Sequence, residues 1–141
     1  MEGENIIITG ANRGIGKELV KVFAEAGANI WACMRKENED FISWKSELEQ
    51  IHNVWIKTVC FDITDSESFD IGIKSILDEN IKIDVLINNA GISTVKLLNK
   101  SKLEEVKALF NVNYFSMLNM IQKISKKMVR QKSGVIINMG S

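Results

Sequence analysis

The sequence predicts an α/β protein built on a doubly wound parallel sheet, and three observations lead there. Short apolar runs of strand length alternate with amphipathic runs of helical period along the whole chain. The first of these runs, Ile6-Ile7-Ile8, passes through a turn carrying Gly10, Gly14 and Gly16 directly into a helical pattern. Polar clusters then follow the ends of the predicted strands, which is where ligands bind in such sheets.

Taken in order, the run ending at Ile8 is the first strand, since three consecutive β-branched residues suit a strand buried on both faces. Leu19, Val20, Phe23 and Ala24 recur at helical spacing after the glycines, and Gly27 supplies a stop. Asn29 to Met34 is a second strand, and Arg35-Lys36-Glu37-Asn38 is a polar break, which completes one strand-helix-strand unit. Phe41, Ile42, Trp44 and Leu48 mark a weaker helix between Glu39 and Gln50, and the run from Val54 to Phe61 reads as a third strand. Asp62 to Ser66 offers turn and N-cap chemistry for a helix carrying Phe69, Ile73, Ile76 and Leu77. Asp84 to Ile87 is a fourth strand bounded by Asn88-Asn89-Ala90-Gly91, and the stretch from Ser93 to Lys100 reads as loop. A short helix over Leu103 to Leu109 follows. A longer one over Asn113 to Met128 sets Phe115, Leu118, Ile121, Ile124 and Met128 on one stripe. A fifth strand occupies Gly134 to Ser141. Right-handed crossovers then give the strand order 3-2-1-4-5, with helices on both faces and the ligand crevice between the first and fourth strands.

Bulk composition narrows the function. Eighteen basic and eighteen acidic residues cancel, so no polyanion-binding face is expected from net charge. The basic run of Lys123, Lys126, Lys127, Arg130 and Lys132 lies at a helix end, where it complements the dipole, and nucleic-acid binding is not expected. No apolar run approaches the roughly 18 residues of a membrane span, so no membrane partner is expected. Cys33 and Cys60 both sit in apolar strands and are expected to be buried reduced thiols, which points to the cytoplasm. With a single histidine, His52, at a helix-to-strand turn and no clustered cysteines, metal chemistry is not expected.

The glycine turn carries the first chemical expectation. A strand that runs through glycines into a helix is a cradle for phosphate: the backbone can approach the anion, and the free N–H groups and positive end of the helix dipole favour its charge. Any Cβ at Gly10 or Gly16 is expected to block that approach. The spacing, Gly-x-x-x-Gly-x-Gly, differs from the Gly-x-Gly-x-x-Gly dinucleotide fingerprint.

With Thr9-Gly10-Ala11-Asn12-Arg13-Gly14-Ile15-Gly16, Asp62, Asn88-Asn89-Ala90-Gly91, Asn113 and Asn138-Met139-Gly140-Ser141 in view, the chain resembles the short-chain dehydrogenase/reductase family over its whole length, with the motifs in the expected order. Within that family it is similar to the 3-oxoacyl-acyl-carrier-protein reductases. The resemblance implies a Rossmann-like domain over residues 1–141, a nicotinamide dinucleotide, and reversible hydride transfer between that cofactor and a carbonyl or alcohol. It assigns Gly10, Asn12, Arg13, Gly14, Ile15 and Gly16 to the pyrophosphate loop. Asp62 and Ile63 match the adenine contact, and Asn89, Ala90 and Gly91 match the segment beside the adenosine ribose. Asn88 is expected instead to tie neighbouring strands together.

The form of the cofactor can be argued from charge. NAD-preferring enzymes place a carboxylate about 20 residues after the glycines to accept from the ribose 2′-hydroxyl. The second strand here ends in Met34, and Arg35 follows, with Arg13 in the loop. A 2′-phosphate pairs with a guanidinium through two charge-assisted hydrogen bonds, so NADP(H) is expected.

The catalytic set implied by the resemblance is partial. Asn113 matches an asparagine that supports a proton-relay water, with Asn111 as its rival, and Ser141 matches the serine that holds the substrate oxygen. The family's proton donor, a tyrosine in a Tyr-x-x-x-Lys pattern, should come about a dozen residues or more beyond that serine, and this sequence stops first. Tyr114, the only tyrosine, has no lysine four residues on and is expected in the core or a helix interface. The chain thus reads as the amino-terminal portion of an NADP(H)-dependent carbonyl reductase or alcohol dehydrogenase, incomplete at its C-terminus and inactive on its own. The alternative is a catalytically inactive NADP(H)-binding module or fragment that acts by association. Expected partners are a small carbonyl substrate, an acyl thioester among the candidates, and further copies of the chain in a homo-oligomer formed through the helix from Asn113 to Met128.

Overall fold

A computed structural model of the chain describes residues 1–140. Five strands, β1 (Asn5–Thr9), β2 (Asn29–Met34), β3 (Ile56–Cys60), β4 (Val85–Asn88) and β5 (Val135–Asn138), pair in parallel in the order β3-β2-β1-β4-β5. The expected Rossmann-like topology is therefore the observed one. Helices α1 (Gly14–Glu25), α2 (Glu39–His52), α3 (Ser66–Asp78), α4 (Leu103–Phe110) and α5 (Met117–Gln131) make the crossovers, and a short 3-10 turn spans Leu98–Lys100.

The period-two geometry of β1 explains why its sequence is uniformly apolar. Ile6 and Ile8 point into one layer with Val20, Ala24, Phe41 and Leu48 of α1 and α2, while Ile7 points into the other with Phe69 and Ile73 of α3 and Met120 and Ile124 of α5. All three isoleucines are fully buried, and each stabilises the fold by about 1.5–3 kcal/mol relative to an exposed side chain. The sheet is thus clamped at its centre, the strand that delivers the glycine turn.

Four expectations need correction. Cys33 is buried, and burial pushes its thiol pKa up, but Cys60 is exposed because β3 is an edge strand and Cys60 its last residue. The two predicted helices after residue 103 form one continuous rod: α4 passes through a π-helical segment, Asn111–Ser116, into α5 with helical backbone angles at both junctions. The predicted apolar stripe of that rod splits, since Ile124 and Met128 are buried with Met120 and Ser116, whereas Phe115 and Leu118 are exposed. Tyr114, beside them, is half exposed, which removes the core from its two expected places and leaves the helix interface.

Candidate functional site

The site is built where β1 and β4 lie side by side. The crossover from β1 runs through α1 over one face, the crossover from β4 through α4 and α5 over the other, and the diverging connections leave a crevice between the two strand ends. One buried hydroxyl ties these ends together. Thr9 Oγ1 accepts hydrogen bonds from the Asn89 and Ala90 amides, both at 3.0 Å. Asn89 Nδ2 reaches back to donate to the Thr9 and Gly10 carbonyls at 3.1 and 3.3 Å. Thr9 stands at the head of the glycine motif, but sequence reasoning gave it no role of its own: a threonine ending an apolar strand was the available signal.

The same contacts correct the reading of the glycines. A Cβ at Gly16 would stand 2.0 Å from the Gly10 carbonyl oxygen and 2.6 Å from Asn89 Nδ2, and one at Gly10 would stand 3.0 Å from Ala90 Cα. These glycines are required first by the close packing of the turn on itself and on the β4 segment, before any ligand arrives. Gly14 differs, because a Cβ there meets nothing, and its φ of +53° is what favours glycine.

Helix N-termini reveal where an anion fits. The α2 and α3 N-termini are capped, by Asn38 accepting from the Phe41 amide at 2.8 Å and by Asp65 accepting from the Ser68 amide at 2.7 Å. Arg13, at the cap of α1, supplies no such acceptor, and the first turn of α1 contains no acidic residue. Its leading amides and positive dipole end are left for another acceptor. Arg13 and Arg35 are exposed, and among the described residues neither is in an ion pair. A cleft of about 550 Å³ runs over this ground. Its walls include Gly10, Asn12, Arg13, Gly14, Ile15 and Gly16 from the turn, Arg35 beyond β2, Asp62 and Ile63 beyond β3, and Asn89, Ala90 and Gly91 beyond β4. The structure therefore brings every residue expected to contact the cofactor to one concavity. An uncapped helix start and two uncommitted guanidinium groups suit a ligand with phosphates along its length.

Asp62 is held ready at the β3 end. Its Oδ1 accepts from the Thr64 hydroxyl and amide at 2.7 and 2.8 Å, and these bonds, with the Arg35 charge nearby, hold its carboxyl below the usual carboxylate range. Cys33 also lines the cleft, but with its pKa raised by burial it stays a neutral thiol.

Asn113 sits outside the cleft wall, in the π-helical segment, with both amide atoms engaged. Its Oδ1 accepts from the Ile92 amide at 2.9 Å and its Nδ2 donates to the Ile92 carbonyl at 2.8 Å. Ile92 and Val112 do line the cleft, so Asn113 acts by pinning the wall that Ile92 forms. Asn88 Nδ2 donates to Asn138 Oδ1 at 2.8 Å across the β4–β5 pair. Ser141 lies outside the described residues.

A parallel doubly wound sheet with a glycine turn, an uncapped helix start and basic residues at its switch point defines a nucleotide-binding α/β domain. The chain belongs to the short-chain dehydrogenase family, whose model matches residues 4–141. This is a family of nicotinamide-dependent oxidoreductases. The chain is 34% identical, over its full length, to a 3-oxoacyl-acyl-carrier-protein reductase of Thermotoga maritima, and 31% identical to the enzyme of the same description from Vibrio cholerae. It covers 56% of each, so the chain spans about half the length of these curated relatives. A crystal structure of a bulky-bulky ketone specific alcohol dehydrogenase from Comamonas testosteroni superposes on the whole chain with a TM-score of 0.88 at 24% identity, again over 56% of that protein. Among the described residues no helix is long and apolar enough to cross a membrane, and no cluster of potential metal ligands occurs.

Proposed function

We propose that this chain binds NADP(H) and forms the cofactor-binding part of a cytoplasmic oxidoreductase that interconverts a carbonyl and an alcohol. The observation that carries this reading is the pairing, in one cleft, of an uncapped helix start with Arg13 and Arg35, neither in an ion pair among the described residues. The turn from Gly10 to Gly16 holds the pyrophosphate, Arg13 and Arg35 hold the 2′-phosphate, Asp62 and Ile63 face the adenine, and Asn89, Ala90 and Gly91 form the floor beside the ribose. The nicotinamide supplies or accepts the hydride. Asn113 positions Ile92 in the wall of the cleft, and Ser141 is the residue assigned to hold the substrate oxygen. An oxoacyl thioester is the first substrate class to assay, because the matched relatives are reductases of that description. Copies of the chain associate through the rod that contains Asn113 and Met128.

Calorimetric titration with NADPH and NADH tests the cofactor assignment. NADPH should bind about ten-fold more tightly, and Arg35→Ala should remove most of that difference, as expected for loss of a charge-assisted pair. Equal affinities for the two dinucleotides would refute it.

A further inference from the structure

Counting from the glycines exposes a conflict at the end of β2. The acceptor for a free ribose 2′-hydroxyl lies about 20 residues beyond the glycine turn, and by that measure Glu37 competes with Met34 for the position. One short segment thus holds a carboxylate suited to an unphosphorylated ribose and, in Arg35 and Lys36, two cations suited to a phosphate.

The structure separates them. Arg35 and Lys36 line the cleft, and Glu37 does not. The Thr58 hydroxyl of β3 donates to Glu37 Oε1. Thr58 stands in register with Ala32, two rows below the Met34–Cys60 pair that ends the strands, so this bond draws the carboxylate back from the rim of the sheet. Asn38, the next residue, is fixed as the α2 cap, which restrains the backbone on the other side of Glu37.

We propose that Thr58 sets the cofactor preference of the cleft by holding the Glu37 carboxylate out of it. Arg35 and Lys36 then meet a 2′-phosphate without the Glu37 charge beside them, and a bare 2′-hydroxyl finds no carboxylate from the β2 end to accept from it; Asp62 stays in the cleft wall beyond β3. The inference rests on the NADP(H) reading above and names what enforces it. Thr58 touches no cofactor; it is a positioning residue acting through Glu37. A hydroxyl-to-carboxylate bond is charge-assisted and about twice as strong as a neutral one, enough to favour one rotamer of an otherwise mobile side chain.

The test compares 2′,5′-ADP with 5′-AMP, two probes that differ by the 2′-phosphate alone, in binding to the 141-residue chain. If the unsubstituted chain does not favour 2′,5′-ADP, the NADP(H) reading fails irrespective of Thr58. Given that preference, Thr58→Val, which keeps the β-branch and the volume, should reduce it roughly five-fold by admitting a like charge at partly screened range. Thr58→Ser should retain it, and adding Glu37→Gln to Thr58→Val should restore it. An undiminished preference in folded Thr58→Val overturns the proposal and leaves the NADP(H) reading standing. Should the valine variant fail to fold, Glu37→Gln alone decides. A carboxylate already held away leaves the preference unchanged when neutralised, whereas a rise of roughly five-fold places Glu37 in the cleft field and defeats the idea.

Discussion

At the scale of single residues, the glycine turn shows how one residue type meets two separate demands. Gly16 is set by contact: an added Cβ would overlap the Gly10 carbonyl at 2.0 Å, so the loop backbone must move. Gly14 is set by conformation, with open space around it and a positive φ. Gly14→Ala should cost about 1–2 kcal/mol, the penalty of a left-handed L-residue, and leave the turn's shape in place. Gly16→Ala should cost about 1–3 kcal/mol as an overpacked site and should also weaken nucleotide binding, because the displaced backbone is the part that faces the ligand. Urea unfolding paired with NADPH titration separates the two. A Gly16→Ala chain of undiminished affinity would show that the turn adapts and that the close packing on Asn89 is incidental. The spacing of these glycines was legible in the sequence, but the source of the constraint was not. For Gly10, and for Gly16 beside its contact with the Gly10 carbonyl, it lies in Asn89 and Ala90, more than 70 residues away in the chain, which only the β1–β4 pairing brings against the turn. The role of Thr9 was hidden for a like reason, since its hydroxyl has meaning only once Asn89 and Ala90 stand opposite.

At the scale of elements, apolar period identified each strand and every crossover helix, because both rest on local geometry that repeats. The π-helical segment from Asn111 to Ser116 did not show itself, since an i→i+5 turn inserts one residue and shifts the phase of the pattern, which a 3.6-residue period reads as a break. The shift has a consequence for packing. It lets Ser116, Met120, Ile124 and Met128 face the sheet while Phe115 and Leu118 face outward, and it presents Asn113 to the backbone of Ile92. Asn113→Ala removes both bonds to Ile92. Each is worth about 0.5–1.5 kcal/mol net, and their exposure places them at the low end, so a loss of about 1 kcal/mol is expected. Hydrogen exchange locates the effect: the Ile92 amide should lose its protection in Asn113→Ala while amides in β1 and β2 keep theirs. Global loss of protection, or none at Ile92, would show that the asparagine is not what fixes this wall.

At the scale of the whole molecule, the two edges of the sheet are treated differently. On the β3 side, α2 closes the start of the strand: Glu49 Oε1 accepts from the Ile56 amide at 2.6 Å and Lys45 Nζ donates to the Ile56 carbonyl at 3.0 Å. On the β5 side, Val135 is 54% exposed, with Ile137 and Met139 also exposed, so an apolar strand meets water. A second apolar surface lies on the rod, where Phe110 and Phe115 border an open groove of about 560 Å³ and Tyr114 stands beside it. Formal net charge is zero at pH 7, so long-range repulsion does not keep copies of the 141-residue chain apart. Unpaired apolar edges and large exposed patches both drive self-association. The chain should therefore show a sedimentation coefficient that rises with concentration, and paired substitutions identify the surface responsible. Val135→Lys with Ile137→Lys places charge on the strand edge, and Phe115→Glu places it on the rod. Reversal by the strand pair alone assigns association to the edge, and reversal by Phe115→Glu alone assigns it to the rod and supports the homo-oligomer proposed there. Because all three positions are already exposed, thermal stability of the monomer should change little, within about 0.5 kcal/mol. A chain that sediments as a monomer at every concentration would remove the basis for both surfaces.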